Sequence, residues 1–487
     1  MSDSHDQDAN NGVSRRKFIR NIGVTGAAAA VAASSVGAMA AEKGETCKTA
    51  GCDYDVIVVG GGFSGISAAR DSRKNGYKTL VLEARNRLGG RTFSSEFAGH
   101  KIELGGTWIH WAQPFVWAEV ERYGLQVKET PEGVESSDAT YTMLVNGERK
   151  VLQPAEFGPA IQALNDYFKD ARTLWPRVYD TRFSWDQVVG ADTISCAEKL
   201  DQMKLTPLQR TFVDSYLGAI VHSPTDKGSY VETLRWWALA YHDFPTLHDT
   251  CGRYTFVDGT RSLIEAMVDD GKPEIRLSTP VTRVEQIGER VKVTTQKGDS
   301  FTAAAVIVAV PMNVLPRIEF SPALDPAVVE AGNERHSGSG TKVFIRTRGK
   351  LNTPGKIYGL ADSYQPVSLL MTYAKAEDHT ILIGFGCDPE KLDVQDRDSV
   401  QQVVSSFYPE LEVEQCYGYE WTLDPYSRGT YCTYKPKWYG KYYDHFMKDK
   451  GRVLFSTGDH GDGWHGFIDG AIGSGLRAAN RARKLLG

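Results

Sequence analysis

The chain has 487 residues, of which 41% are hydrophobic and 24% are charged, a composition typical of a globular protein with ample core material. Because one hydrophobic core seldom grows beyond about 250–300 residues, we expect two domains. The formal net charge is −5 and no long basic run occurs, which excludes nucleic acid as a main partner. The seven cysteines are too scattered for a disulfide scaffold, and no pair has the C-x-x-C spacing of a redox or zinc site. No metal site is therefore predicted. Cys47 and Cys52 either pair in an oxidising compartment or remain free thiols.

Residues 1–40 have the pattern of an export signal. The segment Ser14 to Ile19 (SRRKFI) contains a twin arginine, and an alanine-rich stretch follows from Gly23 to Ala41. Ala38 to Ala40 (AMA) then offers a small-residue cleavage pattern. The stretch is too weakly apolar for a stable membrane anchor. We therefore predict a twin-arginine signal peptide and a periplasmic or secreted protein.

A dinucleotide-binding pattern begins at residue 54. The run Tyr54 to Val59 predicts a strand buried on both faces, and Gly60, Gly62 and Gly65 follow as G-x-G-x-x-G before a helical segment. These glycines suit a tight turn, a close approach to a pyrophosphate and close helix–strand packing, respectively. Glu83 ends the next predicted strand, 18 residues after Gly65, where a carboxylate binds the ribose. At this point NAD and FAD both remain open.

The residues after this strand resemble a known family. Glu83 to Thr92 (EARNRLGGRT) and Ile102 to Trp108 (IELGGTW) are similar to two segments of the flavin monoamine oxidase family, which binds FAD. The resemblance implies that the segments line the pyrophosphate and the flavin ring. The cofactor contacts that it implies are Ala84, Arg85, Gly90, Arg91, Gly106, Thr107 and Trp108.

The resemblance continues to the end of the chain. Arg452 to Phe455 predicts a strand, and the segment that follows it resembles the family's last flavin motif. There Asp459 stands where the family has a glutamate near the ribityl chain, a shortening by one carbon. A helix beginning near Asp469 would point its positive end at the flavin. The other implied cofactor contacts are Val281 in a strand from Leu277 to Val284, Trp421, Trp464 and Ile468.

These segments predict an α/β fold with a Rossmann-like FAD-binding domain and a discontinuous α+β substrate domain. The FAD-binding domain is assigned to residues 54–131, 252–316 and 450–487. The substrate domain is assigned to residues 132–251 and 317–449. Within it we expect residues 154–244 to be largely helical, including Glu198 to Leu217 and the aromatic run Leu234 to Tyr241, and we expect strands at 342–348, 369–373, 380–386 and 413–421.

Three residues are predicted to be catalytic. Lys342 matches the family lysine that reaches flavin N5 through a water, and we expect it to tune flavin reoxidation. Tyr431 and Phe467 match the two walls of an aromatic cage that clamps the amine. The position of the cysteine that attaches flavin covalently in some members is Thr430 here, with Cys432 two residues later. We therefore predict non-covalent FAD.

The predicted substrate pocket also contains Trp108, Trp237, Tyr241 and Trp421. Other candidates, each of which is equally compatible with a structural role, are Trp236, Phe244, His110, His222 and His465. Arg235 and Arg253 are candidates for binding a substrate carboxylate.

Within the family, residues 234–253, 424–430 and 463–467 most resemble bacterial enzymes of nicotine breakdown. The resemblance implies oxidation of a secondary methylamine such as pseudooxynicotine to an imine, which is hydrolysed to an aldehyde and methylamine. Members that oxidise nicotine have asparagine at the position of Phe467, which favours this substrate over nicotine. Alternatives are a monoamine or polyamine oxidase, a flavin desaturase, and a flavin binder without activity. Oxygen or a c-type cytochrome is the expected electron acceptor, and the sequence leaves both a monomer and a homodimer open.

Overall fold

The computed structural model describes residues 47, 49, 51–130, 139–348, 355–446 and 448–487. The predicted signal peptide lies outside the described residues. Cys47 and Cys52 are described and are both free thiols, and the Cys47 thiol donates a hydrogen bond to Asp55. No helix within the described ranges is long and apolar enough to cross a membrane.

The first sheet forms the centre of the predicted FAD-binding part. Its parallel strands pair around the first strand of the chain, and an antiparallel β10–β11–β12 meander extends one side. The order is β13-β10-β11-β12-β1-β2-β9, with β19 also paired to β12. Numbered along the chain, the strands are β1 (Tyr54–Val59), β2 (Thr79–Leu82), β9 (Glu274–Arg276), β10 (Val281–Ile287), β11 (Arg290–Thr295), β12 (Ser300–Val308), β13 (Glu319–Ser321) and β19 (Val453–Phe455).

The second sheet lies in the predicted substrate part and has the order β18-β14-β17-β16-β15-β6-β7. All but one of its neighbouring pairs are antiparallel, β15 and β6 being parallel. The other described strands form two small two-stranded sheets, β3–β4 and β5–β8. The bounds are β3 (Ser94–Phe97), β4 (His100–Glu103), β5 (Val127–Glu129), β6 (Thr140–Val145), β7 (Glu148–Val151), β8 (Tyr254–Phe256), β14 (Thr341–Arg348), β15 (Ile357–Ala361), β16 (Leu369–Lys375), β17 (His379–Gly386) and β18 (Val413–Gly418).

Helices cover the first sheet and pack beside the second. The bounds are α1 (Phe63–Lys74), α2 (Pro114–Tyr123), α3 (Pro154–Tyr167), α4 (Ala171–Leu174), α5 (Trp185–Ala191), α6 (Cys196–Asp201), α7 (Pro207–Val221), α8 (Tyr230–Leu239), α9 (Phe244–Gly252), α10 (Thr260–Gly271), α11 (Pro326–Glu334), α12 (Arg397–Phe407), α13 (Trp438–Phe446) and α14 (Ile468–Leu486). A 3₁₀ segment runs over Met312–Arg317.

The burial of strand β1 on both faces explains why its sequence is a continuous apolar run. All six of its residues are buried. Ile57 and Val59 belong to one hydrophobic cluster, and Val56 and Val58 belong to another that includes residues of α1 and α14. Because successive side chains of a strand point to opposite faces, a strand covered on both sides needs apolar residues at every position.

The predicted helical segment Glu198 to Leu217 spans parts of two helices, α6 and α7, because Thr206 caps α7 and Pro207 occupies its first turn. Two predicted strands differ from the structure. Strand β10 begins only at Val281. The preceding Ser278 and Thr279 instead donate backbone hydrogen bonds to the carbonyls of Arg85 and Glu83, so this segment crosses the end of β2. Strand β18 stops at Gly418, three residues before the predicted end at residue 421.

The seven strands of the second sheet all fall within the segments assigned to the substrate domain. One strand of the first sheet, β13, also falls there, three residues beyond the predicted boundary at residue 316. Residues 46–487 form one compact unit, so the boundaries assigned to the two domains stay a prediction.

Helices α1 and α14 pack so closely that a glycine is required between them. A Cβ atom added to Gly475 of α14 would lie 2.3 Å from the carbonyl oxygen of Ser64 in α1. We therefore expect Gly475→Ala to lower the free energy of unfolding by about 1–3 kcal/mol, the usual cost of overpacking. Denaturant unfolding of the two proteins measures this.

The matched control is Gly190→Ala in α5, where no atom lies within 4 Å of an added Cβ. There the better helix propensity of alanine should stabilise by about 0.5–1 kcal/mol. Equal effects at both sites would contradict the proposed close contact.

Candidate active site

A single cavity of about 630 Å³ connects the glycine turn after β1 with the second sheet. This volume lies within the range of cofactor and ligand sites. At one end the wall is backbone-rich, with Gly60, Gly62 and Gly90. At the other end it is aromatic, with Tyr431 and Phe467. The cavity therefore offers a narrow cradle at one end and an apolar chamber at the other.

The cradle depends on the absence of side chains. Gly62 and Gly90 approach each other so closely that a Cβ on Gly90 would lie 3.2 Å from the Cα of Gly62. A Cβ on Gly65 would lie 1.9 Å from the carbonyl oxygen of Gly60, so Gly65 allows α1 to begin directly behind the turn. The turn leaves the N-terminus of α1 facing the cavity, an arrangement that suits a pyrophosphate.

Glu83 is buried at the end of β2. One carboxylate oxygen accepts a hydrogen bond of 2.6 Å from the Gly61 backbone N–H, and the other accepts one of 2.8 Å from Arg85. These bonds fix the carboxylate at the cavity wall, where a ribose hydroxyl can donate to its remaining lone pairs. The residues present therefore fit FAD.

Asp459 lies behind the cavity wall. Its carboxylate binds Arg91 and accepts a 2.7 Å hydrogen bond from the Met312 backbone N–H. Burial alone would raise the pKa of Asp459, but Arg91 and His336 lower it to about 2. The carboxylate is thus ionised, and it holds Arg91, which does line the cavity.

The predicted cofactor residues divide into two groups. Gly65, Asp459 and Trp464 lie outside the wall, and Trp464 packs against Phe467 with ring centroids 4.9 Å apart. The remaining predicted cofactor residues line the cavity: Gly60, Gly62, Glu83, Ala84, Arg85, Gly90, Arg91, Gly106, Thr107, Trp108, Val281, Trp421 and Ile468.

Lys342 is the second residue of β14, and its side chain extends to the end of β4 and the loop that follows it. Its Nζ donates to the carbonyls of Glu103 and Gly105, at 2.6 and 2.9 Å, and to Oγ1 of Thr107, at 2.6 Å. These three acceptors match the three protons of an ammonium. Burial nevertheless lowers the pKa of Lys342 to about 7, against the opposing effect of Glu103. Lys342 therefore changes its charge near neutral pH at the cavity wall.

Tyr431 and Phe467 both line the aromatic end and both contact Trp236 of α8, with centroid distances of 6.0 and 4.6 Å. The Tyr431 hydroxyl donates to the carbonyl of Ala219. His222 stacks on the Tyr431 ring at 4.7 Å and 5°. Burial lowers the pKa of His222 to about 4, so a neutral imidazole supports this ring.

Two predicted pocket residues are not in the cavity. Trp237 lies behind the wall, where it stacks on the wall residue Phe168 with ring centroids 4.4 Å apart. Tyr241 follows the end of α8 with a left-handed backbone (φ 58°) and is 64% exposed. Trp236, Phe244 and His222, which were alternatives, do line the cavity.

The remaining candidates have structural partners instead. His110 binds Asp249, and Arg253 binds Glu129 and Asp249. Arg235 and His465 are buried together beside a glutamate. None of these four lines the cavity. The sequence missed several wall residues because they come from separate elements and carry no motif, namely Phe168, Tyr216, His248, Tyr358 and Phe385.

Thr430 lines the cavity at the position where some relatives carry the attaching cysteine. Cys432, in contrast, is fully buried outside the wall, and its thiol points at the sulfur of Met312. This arrangement presents no thiol of residues 430–432 to the cavity.

Comparison with known proteins identifies the family. The family model described as "Flavin containing amine oxidoreductase" matches residues 63–483. The chain belongs to this family. FAD is accordingly its cofactor, and the chain is an amine-oxidising enzyme, as the sequence predicted.

Characterised relatives cover nearly the whole chain of this flavin amine oxidoreductase. It is 39% identical over 470 residues to the pseudooxynicotine dehydrogenase of a Pseudomonas species, covering 95% of this chain and 94% of that one. It is 37% identical over 481 residues to the nicotine dehydrogenase of Pseudomonas putida, covering 98% of each.

Solved structures support the predicted fold. Putrescine oxidase bound to putrescine has a TM-score of 0.75 at 21% identity, covering 88% of this chain and 99% of that one. Cyclohexylamine oxidase from Brevibacterium oxydans has a TM-score of 0.71 at 19% identity, with 89% and 99% covered. The prediction of a Rossmann-like FAD-binding fold with a substrate domain is confirmed.

Titration of Lys342 should be visible in the kinetics. As the pH falls through about 7, Lys342 gains its positive charge, which favours the arrival of electrons on an acceptor nearby. We expect the rate of flavin reoxidation to rise towards acid with a midpoint near pH 7. In Lys342→Met the midpoint should disappear and the rate should fall about tenfold, equivalent to about 1.4 kcal/mol. Stopped-flow reoxidation across pH measures both.

The control is Lys435→Met, because Lys435 has a lowered pKa but binds the carbonyl of Glu334 outside the cavity. It should keep the wild-type profile. A wild-type midpoint near pH 7 that persists in Lys342→Met would assign the titration to another group.

Proposed function

We propose that the protein oxidises a secondary methylamine such as pseudooxynicotine to an imine, which water hydrolyses to an aldehyde and methylamine. The observation that carries this proposal is the chemistry of the cavity around Tyr431 and Phe467, which is aromatic and aliphatic. When bound, FAD would supply the oxidation by taking a hydride from the α-carbon, with the nitrogen proton released to solvent and the two electrons passed on to an external acceptor.

The charges in the wall favour a monoamine over a diamine. Among the described residues that line the cavity, Glu83 is the only acidic one, and its oxygens are engaged at the cradle end. A second ammonium group would therefore be buried without a counter-charge, at a cost of several kcal/mol. This argues against the polyamine oxidase alternative.

The arginines argue against an amino acid substrate. Arg235 and Arg253, the two candidates for binding a carboxylate, are paired with acidic side chains and lie outside the cavity wall. The two histidines in the wall near the aromatic cage are neutral as well, since burial lowers the pKa values of His222 and His248 to about 4.

The names of the relatives support the same substrate class. A pseudooxynicotine dehydrogenase is 39% identical to this chain, and a nicotine dehydrogenase is 37% identical, so nicotine is the second candidate. Both names describe dehydrogenases, which favours a carrier such as a c-type cytochrome over oxygen. We also propose that the protein is exported by the twin-arginine route and that it assembles as a homodimer.

A panel of amines tests the substrate. Under anaerobic conditions we expect pseudooxynicotine to bleach the flavin absorbance fastest and nicotine to follow. Putrescine should bleach it at least about 100-fold more slowly, the effect of about 2.7 kcal/mol of uncompensated charge. Rapid bleaching by putrescine would refute the monoamine assignment. A fully loaded flavin that no amine bleaches would refute the proposed function.

The flavin attachment is tested separately. Because Thr430 replaces the attaching cysteine, acid precipitation of the wild-type protein should release all its flavin into the supernatant. Thr430→Cys places a thiol at the cavity wall and should retain a fraction of flavin in the pellet. Cys432→Ser is the control and should behave as wild type. Flavin in the wild-type pellet would show that the non-covalent assignment is wrong.

A further inference from the structure

A fully buried ionic network lies just behind the aromatic end of the cavity. Glu232 and Arg235, one turn apart on α8, pair at 2.8 Å. His465 Nε2 lies 2.8 Å from the same Glu232 oxygen, and the Tyr439 hydroxyl donates to the other oxygen at 2.7 Å. These four side chains are at most 2% exposed, and none lines the cavity.

The network is ionic despite its burial. Burial alone would raise the pKa of Glu232, but Arg235 and His465 lower it to about 2. Glu232 also raises the pKa of Arg235, against the effect of burial. Buried ion pairs seldom add stability over apolar residues of the same volume, so their presence calls for another explanation such as conformational specificity.

Arg235 connects this network to the segment that carries Phe467. Its guanidinium donates to the carbonyl of Gly463. Gly463 and Gly466 have left-handed backbones, with φ of 71° and 83°. Two backbone hydrogen bonds shape the segment: the His465 N–H donates to the Gly463 carbonyl, and the Gly466 N–H donates to the Gly458 carbonyl. The Arg235 side chain thus fixes the start of a turn that ends at Phe467.

The same turn is held against the segment that carries Tyr431. A Cβ on Gly466 would lie 2.5 Å from the carbonyl oxygen of Cys432, so the two backbones are in direct contact next to the two cage residues. His465 also stacks on Tyr434 at 4.5 Å. The residue after Arg235, Trp236, packs against both cage rings.

We infer that Glu232, Arg235 and His465 are positioning residues that set the placement of Phe467 relative to Tyr431, and thereby the placement of the amine before the flavin. This inference rests on the proposed function for its kinetic consequence only. A misplacement of about 1 Å in such a site costs about 100-fold in rate, so losing the network should slow flavin reduction without preventing FAD binding.

The main test is the double variant Glu232→Gln/Arg235→Met. Glutamine keeps a partner for Tyr439 and His465, and removing both charges avoids an unpaired buried ion. We expect a folded protein with its full complement of FAD, near the wild-type melting temperature, with a limiting rate of flavin reduction at least tenfold lower. Arg235→Lys should show the same kinetic defect, because a single ammonium cannot bind Glu232 and Gly463 in the geometry of the fork.

The matched control is Glu119→Gln/Arg70→Met. Arg70 and Glu119 also form a fully buried pair, at 2.7 Å, but on α1 and α2 and away from the cavity wall. Its limiting rate should stay within twofold of wild type. If the Glu232/Arg235 variant also stays within twofold, the network has a purely structural role and the inference is wrong.

A double-mutant cycle that combines the Arg235 substitution with Phe467→Ala tests whether Arg235 acts through Phe467. If Arg235 acts through Phe467, its substitution should add little in the Phe467→Ala background, whereas independent effects would multiply. The visible circular dichroism of the bound flavin provides a second readout that needs no amine, and both substitutions should shift it alike. If no amine reduces the wild-type flavin, the proposed function fails while this spectral cycle still decides the positioning role. Full additivity of the two spectral shifts would overturn it.

Discussion

The three hydrogen bonds from Lys342 hold the second sheet against the loop that follows β4. Because an ammonium donates three bonds and finds three acceptors, in Glu103, Gly105 and Thr107, the contact has one geometry. Gly105 and Thr107 line the cavity, as does Lys342 itself. Lys342 therefore ties the second sheet to a loop that forms part of the cavity wall.

Helix α8 plays the corresponding part on the opposite side of the aromatic cage. Successive residues of a helix point about 100° apart, so Arg235 and Trp236 face different neighbours. Arg235 holds the backbone of Gly463, and Trp236 contacts the rings of Tyr431 and Phe467. One rigid element thus controls both the backbone that carries a cage ring and the surface on which that ring rests.

The sequence predicts the parts of the site that depend on local rules. The turn from Gly60 to Gly65 is one, since the left-handed backbone of Gly60 and the close approach at Gly65 favour glycine. Trp237 shows the limit of the method. Trp236 and Trp237 are equally aromatic neighbours on one helix, and only the placement of α8 in the fold decides which one faces the cavity. Glu232 and Arg235 look like an exposed i,i+3 pair in sequence, and their complete burial depends on distant residues such as Tyr439.

The environment of the cavity also determines the charge state of its substrate. Burial lowers the pKa values of His222 and His248 to about 4 and that of Lys342 to about 7, so the wall disfavours positive charge even where hydrogen-bond acceptors are present. An incoming ammonium would meet the same desolvation cost, and the described wall near the cage holds no carboxylate to offset it. We therefore expect the amine to bind as the free base. That form has the nitrogen lone pair that is needed when the α-carbon loses a hydride, so the exclusion of charge that governs binding also selects the reactive species.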